Sequence, residues 1–160
     1  MENCKILTPK DKGIIPDYVH LFNKVLNEIS PFYDNSEIQK ARKKNTHEYI
    51  VSHLSPNPDS RFIGHFTNQT LDGLLIEGFD DLDGDRTVVN WVMAKYKGLG
   101  IGTCLIEDCI SRAKSEFKNV VAVGVSRKNV DAIKLYENLG FIFGKTYNKG
   151  TMRTMGYIFD

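Results

Sequence analysis

YKGLGIGT, residues 96–103, stands between an apolar stretch, TVVNWVMA (87–94), and a segment of helical pattern, CLIEDCISRAKSEF (104–117). Three glycines alternate with Leu99 and Ile101 at the point where a strand should turn into a helix. Glycine costs about 0.5–1 kcal/mol relative to alanine inside regular structure, so three at a helix entrance imply a demand on the backbone itself. A glycine-rich turn entering a helix presents N–H groups that helical hydrogen bonding leaves free. The helix dipole adds a partial positive charge there, and a phosphate or pyrophosphate is the natural guest. A plain tight turn would need one such glycine, not three in alternation. The Walker pattern fails because no lysine follows Gly102, and the dinucleotide fingerprint is broken by Thr103 and Cys104.

Outward from this turn, the segments alternate. CKILT (4–8) reads as a short strand, and PDYVHLFNKVLNEI (16–29) puts Tyr18, Leu21, Phe22, Val25 and Ile29 on one helical stripe. SPFYDNS (30–36) breaks that helix, and 37–54 carries weaker helical patterning. SPNPDS (55–60) reads as a loop. RFIGHF (61–66), LDGLLIEGF (71–79) and TVVNWVMA then read as three strands, with FDDLDGDR (79–86) as a polar turn. After the glycine turn and its helix come a β-branched strand, NVVAVGV (119–125), and a short helix, VDAIKLYENLG (130–140). FIFGKTY (141–147) and TMRTMGYIF (151–159) close the chain around the turn NKG (148–150). The strand–helix–strand unit over 87–125 implies a parallel pair with a right-handed crossover. The fold class is mixed α/β (α+β).

The bulk numbers narrow the function. A chain of 160 residues with 41% hydrophobic and 26% charged residues suits one domain, 1–160. A net charge of +1 gives nucleic acid no support as a partner. MENCKILTPKDKG lacks an apolar run of signal-peptide length and no later segment reads as a membrane span, so a cytoplasmic location is expected. Cys4, Cys104 and Cys109 form no C-x-x-C pair, and His20, His47, His53 and His65 share no metal-ligand spacing. No metal site is expected, and the histidines read as structural or surface groups. Asp81, Asp83 and Asp85 alternate like half a calcium loop, but the glycine falls between the second and third and no glutamate closes the loop. KARKKN (40–45) reads as a solvated helix face, with an acidic acceptor or a cofactor 3′-phosphate as the minor alternative.

Two blocks together carry a specific likeness. K-G-L-G-I-G (97–102) and N-V-D-A-I-K-L-Y-E-N-L-G-F (129–141) resemble the Q/R-x-x-G-x-G/A and N-x-x-A-x-x-L-Y-x-x-x-G-F signatures of the GNAT acetyltransferase superfamily, with one helix and one strand between them. The resemblance implies a mostly antiparallel sheet of six to seven strands with strands 4 and 5 parallel, flanked by about four helices. It implies acetyl-CoA as co-substrate and acetyl transfer to a primary amine, small-molecule or peptide, by direct attack. Backbone groups around Trp91 and Val92 would bond the pantetheine arm. The N–H groups of Gly98, Leu99, Gly100, Ile101, Gly102 and Thr103 would hold the pyrophosphate, and Lys97 stands where the family prefers arginine or glutamine. Asn129 matches a pantetheine contact, and it equally suits a helix N-cap. Tyr136 matches the proton donor to the departing CoA thiolate, although it also fits a packing stripe with 132, 135 and 139.

The general base is open. An alkylammonium is neutral about one time in a thousand at neutral pH, a cost of roughly 4 kcal/mol. Relatives place a glutamate at the start of the strand before the glycine turn or in the strand before the second block; here those places hold Arg86–Thr87 and Gly124. Glu77, Asp85 or a water relay are the alternatives. The acceptor pocket is expected from the SPFYDNS break, the NKG turn and nearby strand ends. A catalytically weak acyl-CoA-binding regulatory domain is the rival reading, and either monomer or homodimer fits.

Overall fold

The computed structural model describes residues 3–54, 60–79 and 84–160. The turn aspartates Asp81 and Asp83 and most of the SPNPDS loop lie outside them. Strand β1 (Cys4–Ile6) leads through a 3-10 turn to helix α1 (Ile15–Ile29), followed by α2 (Asn35–Lys44) and α3 (His47–Leu54). Strands β2 (Ser60–Thr67), β3 (Thr70–Phe79) and β4 (Arg86–Ala94) come next. Then α4 (Ile101–Ser115), β5 (Val120–Ser126), α5 (Val130–Asn138), β6 (Ile142–Tyr147) and β7 (Met152–Ile158) complete the order.

The strands form one seven-stranded sheet in the order β1-β2-β3-β4-β5-β7-β6. Only β4 and β5 pair in parallel, as the crossover through α4 requires; the other neighbours are antiparallel. The expected stripe on α1 is buried at Tyr18, Leu21, Phe22 and Val25, and it packs with Ile38, Ala41, Ile50 and Leu54 over Phe62 and Leu74. A second group of buried residues joins Leu105, Ile106 and Cys109 of α4, and Tyr136 of α5, to Leu75, Val121 and Val123 of the sheet.

The weak helical stretch 37–54 is two helices rather than one, so five α-helices flank the sheet where about four were expected. Asn45 makes the break. Its backbone leaves the helical region (φ −96°, ψ 54°), and its side-chain amide donates to the Val19 carbonyl and the Asn23 side chain of α1. A buried asparagine at 7% exposure needs such partners, and supplying them ties the α2–α3 corner to α1. No helix among the described residues is long and apolar enough to cross a membrane.

Candidate active site where the central strands part

The β4–β5 ladder runs only from Arg86 opposite Val120 to Val89 opposite Val123. Beyond those pairs β4 continues on β3 and β5 continues on β7, so their facing edges separate from Asn90 and Gly124 onward. A bulge opens the split. Ile76 faces Trp91 but Glu77 faces Val89, which leaves Asn90 as the extra residue of β4. A Cβ at Gly78 would stand 2.7 Å from the Asn90 side-chain nitrogen, so glycine there gives the bulged side chain its room.

The glycine turn lies at the end of β4. Gly98 and Gly100 have φ of +76° and +77°, a region that costs other residues roughly 1–2 kcal/mol. Gly100 is the N-cap of α4, and the Cys104 N–H donates to its carbonyl at 2.9 Å. The N–H groups of Ile101, Gly102 and Thr103 therefore have no helical acceptor. Open space surrounds the positions where side chains at 98 and 100 would project. Leu99 is exposed and Lys97 stands beside it at the surface. At Gly102 a Cβ would come within 3.3 Å of the Leu135 side chain, so this glycine serves helix packing as well. Free donors, a helix N-terminus and open space fit a diphosphate. Gly100→Ala is expected to cost about 1 kcal/mol of stability through its positive φ and to weaken CoA binding roughly tenfold or more, measured by calorimetry.

A cavity of about 650 Å³ occupies the split and continues beneath α1, α2 and α3. Trp91 and Val92 line it on the β4 side, Gly124 and Val125 on the β5 side, and Asn129 and Tyr136 on the α5 side. Trp91 also packs edge-on against Phe22, with ring centroids 5.8 Å apart. Asn129 caps α5, accepting from the Ala132 N–H at 3.3 Å. The Tyr33 hydroxyl contacts the Asn129 side chain and the Ser126 backbone, so the cap and the cavity wall are one piece of structure.

Tyr136 is 3% exposed, and burial, with Tyr33 and Cys109 nearby, pushes its pKa well above that of a free phenol. It holds its proton throughout the physiological range, as a donor must. Its ring packs on Phe141 at 5.3 Å, so the packing stripe and the cavity position are both real.

Glu77 and Asp85 do not line the cavity. Glu77 is fully buried; it accepts from Arg61 Nε at 3.0 Å and from Arg112 Nη2 at 2.5 Å. Arg61 also forms a two-point pair with Glu116 at 2.6 and 3.0 Å, holding that carboxyl below the usual carboxylate range. Arg112 reaches Asp108 as well. That carboxylate is engaged by two guanidiniums in the α4 packing. Asp85 is exposed at the start of β4, where its carbonyl accepts from the Asn119 N–H.

Polar residues outside the two signature blocks also line the cavity, among them Tyr33, Glu37, His53 and Tyr147. A side chain at Gly124 would collide with the Tyr147 hydroxyl, which fills that space. Tyr147 is shifted upward by burial, then by Glu37 and Tyr33. Glu37 accepts from Asn148 Nδ2 at 3.3 Å. Tyr33 and Asn148 do lie in the SPFYDNS break and the NKG turn; the alternation of FIFGKTY gave no sign of which face Tyr147 would take. Among the described residues no cluster of three metal-ligating side chains occurs. Cys4 and Cys104 are free thiols with sulfurs 3.6 Å apart, and Cys109 is buried.

This architecture has many solved counterparts. The chain superposes on the PaiA N-acetyltransferase of Thermoplasma acidophilum in complex with coenzyme A, with a TM-score of 0.75 and 18% identity over 98% of this chain and 99% of that one. An N-acetyltransferase from Staphylococcus aureus gives 0.69 at 16% identity, covering 97% and 96%. A Bacillus subtilis acetyltransferase in complex with CoA gives 0.56 at 14% identity, covering 64% and 78%. At these identities the likeness is one of fold. No curated protein matches the chain significantly. The acetyltransferase (GNAT) family model, however, matches residues 22–141, which include the second half of α1, the bulged strand, the glycine turn and the whole of the LYENLGF block. With the split sheet and the glycine-capped α4 in place, the chain belongs to the acetyltransferase (GNAT) family.

Proposed function

We propose that the protein transfers an acetyl group from acetyl-CoA to a primary amine by direct attack, with Tyr136 as the proton donor to sulfur. One observation carries this reading: Tyr136 is buried and lines the same cavity that opens between the parted strands. When bound, acetyl-CoA supplies the thioester; the chain's residues position it. The N–H groups at 98–103 hold the diphosphate, Lys97 adds charge at its rim, and the free edge of β4 around Trp91 and Val92 aligns the pantetheine arm. Donors fixed along that edge polarise the carbonyl without reorganising. The amine nitrogen forms the new N–C bond as the C–S bond breaks. Sulfur takes a proton from Tyr136, and the nitrogen's surplus proton leaves through water, which returns one to the Tyr136 oxygen, because Glu77 and Asp85 stand elsewhere. Most of the rate comes from holding the two reactants together, an effect that reaches about 7–11 kcal/mol in well-oriented systems.

Calorimetry with CoA and acetyl-CoA, followed by thiol release across a panel of amines, tests the proposal. Binding of both and turnover with at least one amine is the expected result. Binding without turnover for any amine would leave an acyl-CoA-binding regulatory domain, and no binding at all removes the basis of the assignment.

A further inference from the structure

The cavity is longer than the split between the strands, and its far wall is α2. Glu37, Ala41 and Lys44 all line it. These positions, four and three residues apart, share one helical face. Glu37 and Lys44 are the carboxylate and the ammonium among its described lining residues. Seven residues separate them, about 10 Å along a helix axis at 1.5 Å per residue. The wall therefore has a negative end and a positive end.

The lining places each end. Glu37 accepts from Asn148 Nδ2 and shares the cavity lining with Tyr33 and Tyr147. Tyr147 in turn lies over Gly124, where β5 leaves β4. The negative end is thus beside the split and Tyr136. At the other end α2 stops at Asn45 and α3 follows. Tyr49 and His53 of α3 stack at 3.9 Å between ring centroids and line the cavity with Ser60. His53 Nδ1 faces the Tyr49 carbonyl at 2.8 Å and the Ser52 hydroxyl at 2.9 Å. Lys40, Arg42 and Lys43 belong to the same last turns of α2. Charges so close act within a Debye length of about 8 Å at physiological salt. Glu48 of α3 is not among the lining residues.

We propose that the acceptor is a dipolar amine of the ω-amino acid class, with its amino group at the Glu37–Tyr147 end and its anionic group at the Lys44–His53 end. This rests on the acetyl transfer proposed above and adds the class of the acceptor. A polycationic amine is the opposite case: its second charge falls against Lys44 and the basic turn of α2. KARKKN, read from the sequence as a solvated face, then has a second role in setting the potential at that end.

Three acceptors with the same six-carbon chain isolate the effect: 6-aminohexanoate, hexylamine and 1,6-diaminohexane. For the native chain, kcat/KM is expected to fall in that order, by roughly tenfold from first to last, the scale of one partly screened charge pair at each step. Lys44→Gln is expected to remove most of the difference and Lys44→Glu to reverse it, with KM for acetyl-CoA unmoved. Lys44 is exposed, and an unchanged Tm confirms that both variants are folded. The proposal is overturned if the native chain favours the diamine or treats all three alike, or if Lys44→Glu keeps the native order. It is overturned too if none of the three is acetylated while other amines are, an outcome that leaves acetyl transfer itself standing. Turnover with no amine of any kind, despite CoA binding, removes both.

Discussion

Tyr136→Phe is expected to lower kcat about 10²–10³-fold, within the range for loss of one general acid, while the Kd for CoA stays within a factor of about two. The substitution removes one oxygen. The ring that packs 5.3 Å from Phe141 remains, as does its place among the buried residues around α4 and α5. The fold and the cofactor cleft should therefore be indifferent to the change. Departure of the thiolate is not, because a leaving sulfur in an apolar cleft needs a proton at once. The native hydroxyl has one to give, as any phenol does at neutral pH. Single-turnover thiol release, which does not depend on product dissociation, measures the step directly. Unchanged single-turnover rates would make Tyr136 a packing residue and nothing more.

Glu77→Ala produces the largest expected loss of stability. The carboxylate is 0% exposed and lies between Arg61 on β2 and Arg112 on α4. Removing one partner of a buried ion pair typically costs about 3–5 kcal/mol, because the charge left behind is neither solvated nor neutralised. Here Glu116 and Asp108 keep partial claims on the two guanidiniums, so the lower part of that range is expected. For a chain of this length that is a fall in Tm of about 6–12 °C. Glu77→Gln should lose less, since its amide oxygen still accepts from one arginine. Thermal unfolding gives the magnitude, and turnover measured well below the Tm gives the role. Native-like turnover by the folded variant confirms a structural carboxylate; abolished turnover in a folded Glu77→Gln would return it to the chemistry.

The contrast between these two residues shows what the sequence could and could not reveal. The place of Tyr136 in the fold was legible because its block sits in a local context: Asn129 at the cap, Ala132 and Leu135 on one stripe, Gly140 ending the helix. The parallel pairing of β4 and β5 was equally legible, since a strand–helix–strand order leaves little other choice. Glu77 was not. On a strand, adjacent residues face opposite sides, and the bulge at Asn90 shifts the register of β3 against β4 just where Glu77 stands. No local pattern announces such a shift. Glu37 and Tyr147 were hidden for a different reason: they meet through Asn148, 111 positions away from Glu37, and only the fold brings a helix from one end of the chain to a hairpin at the other. The α2–α3 corner was missed because Asn45 acts through α1 rather than through its own neighbours.

The parting of β4 and β5 has a further consequence. A sheet normally keeps its unsatisfied main-chain groups at its two outer borders, where charge, brevity or a covering loop disarms them. This protein carries a third border, in its middle, joined across only four residue pairs at one end. A guest that adopts an extended shape there completes the weave, so its affinity and the folding free energy draw on the same hydrogen bonds. At a hundredfold excess over Kd a ligand adds about 2.7 kcal/mol to the native state. A ligand held along that inner border would therefore make the whole molecule harder to unfold.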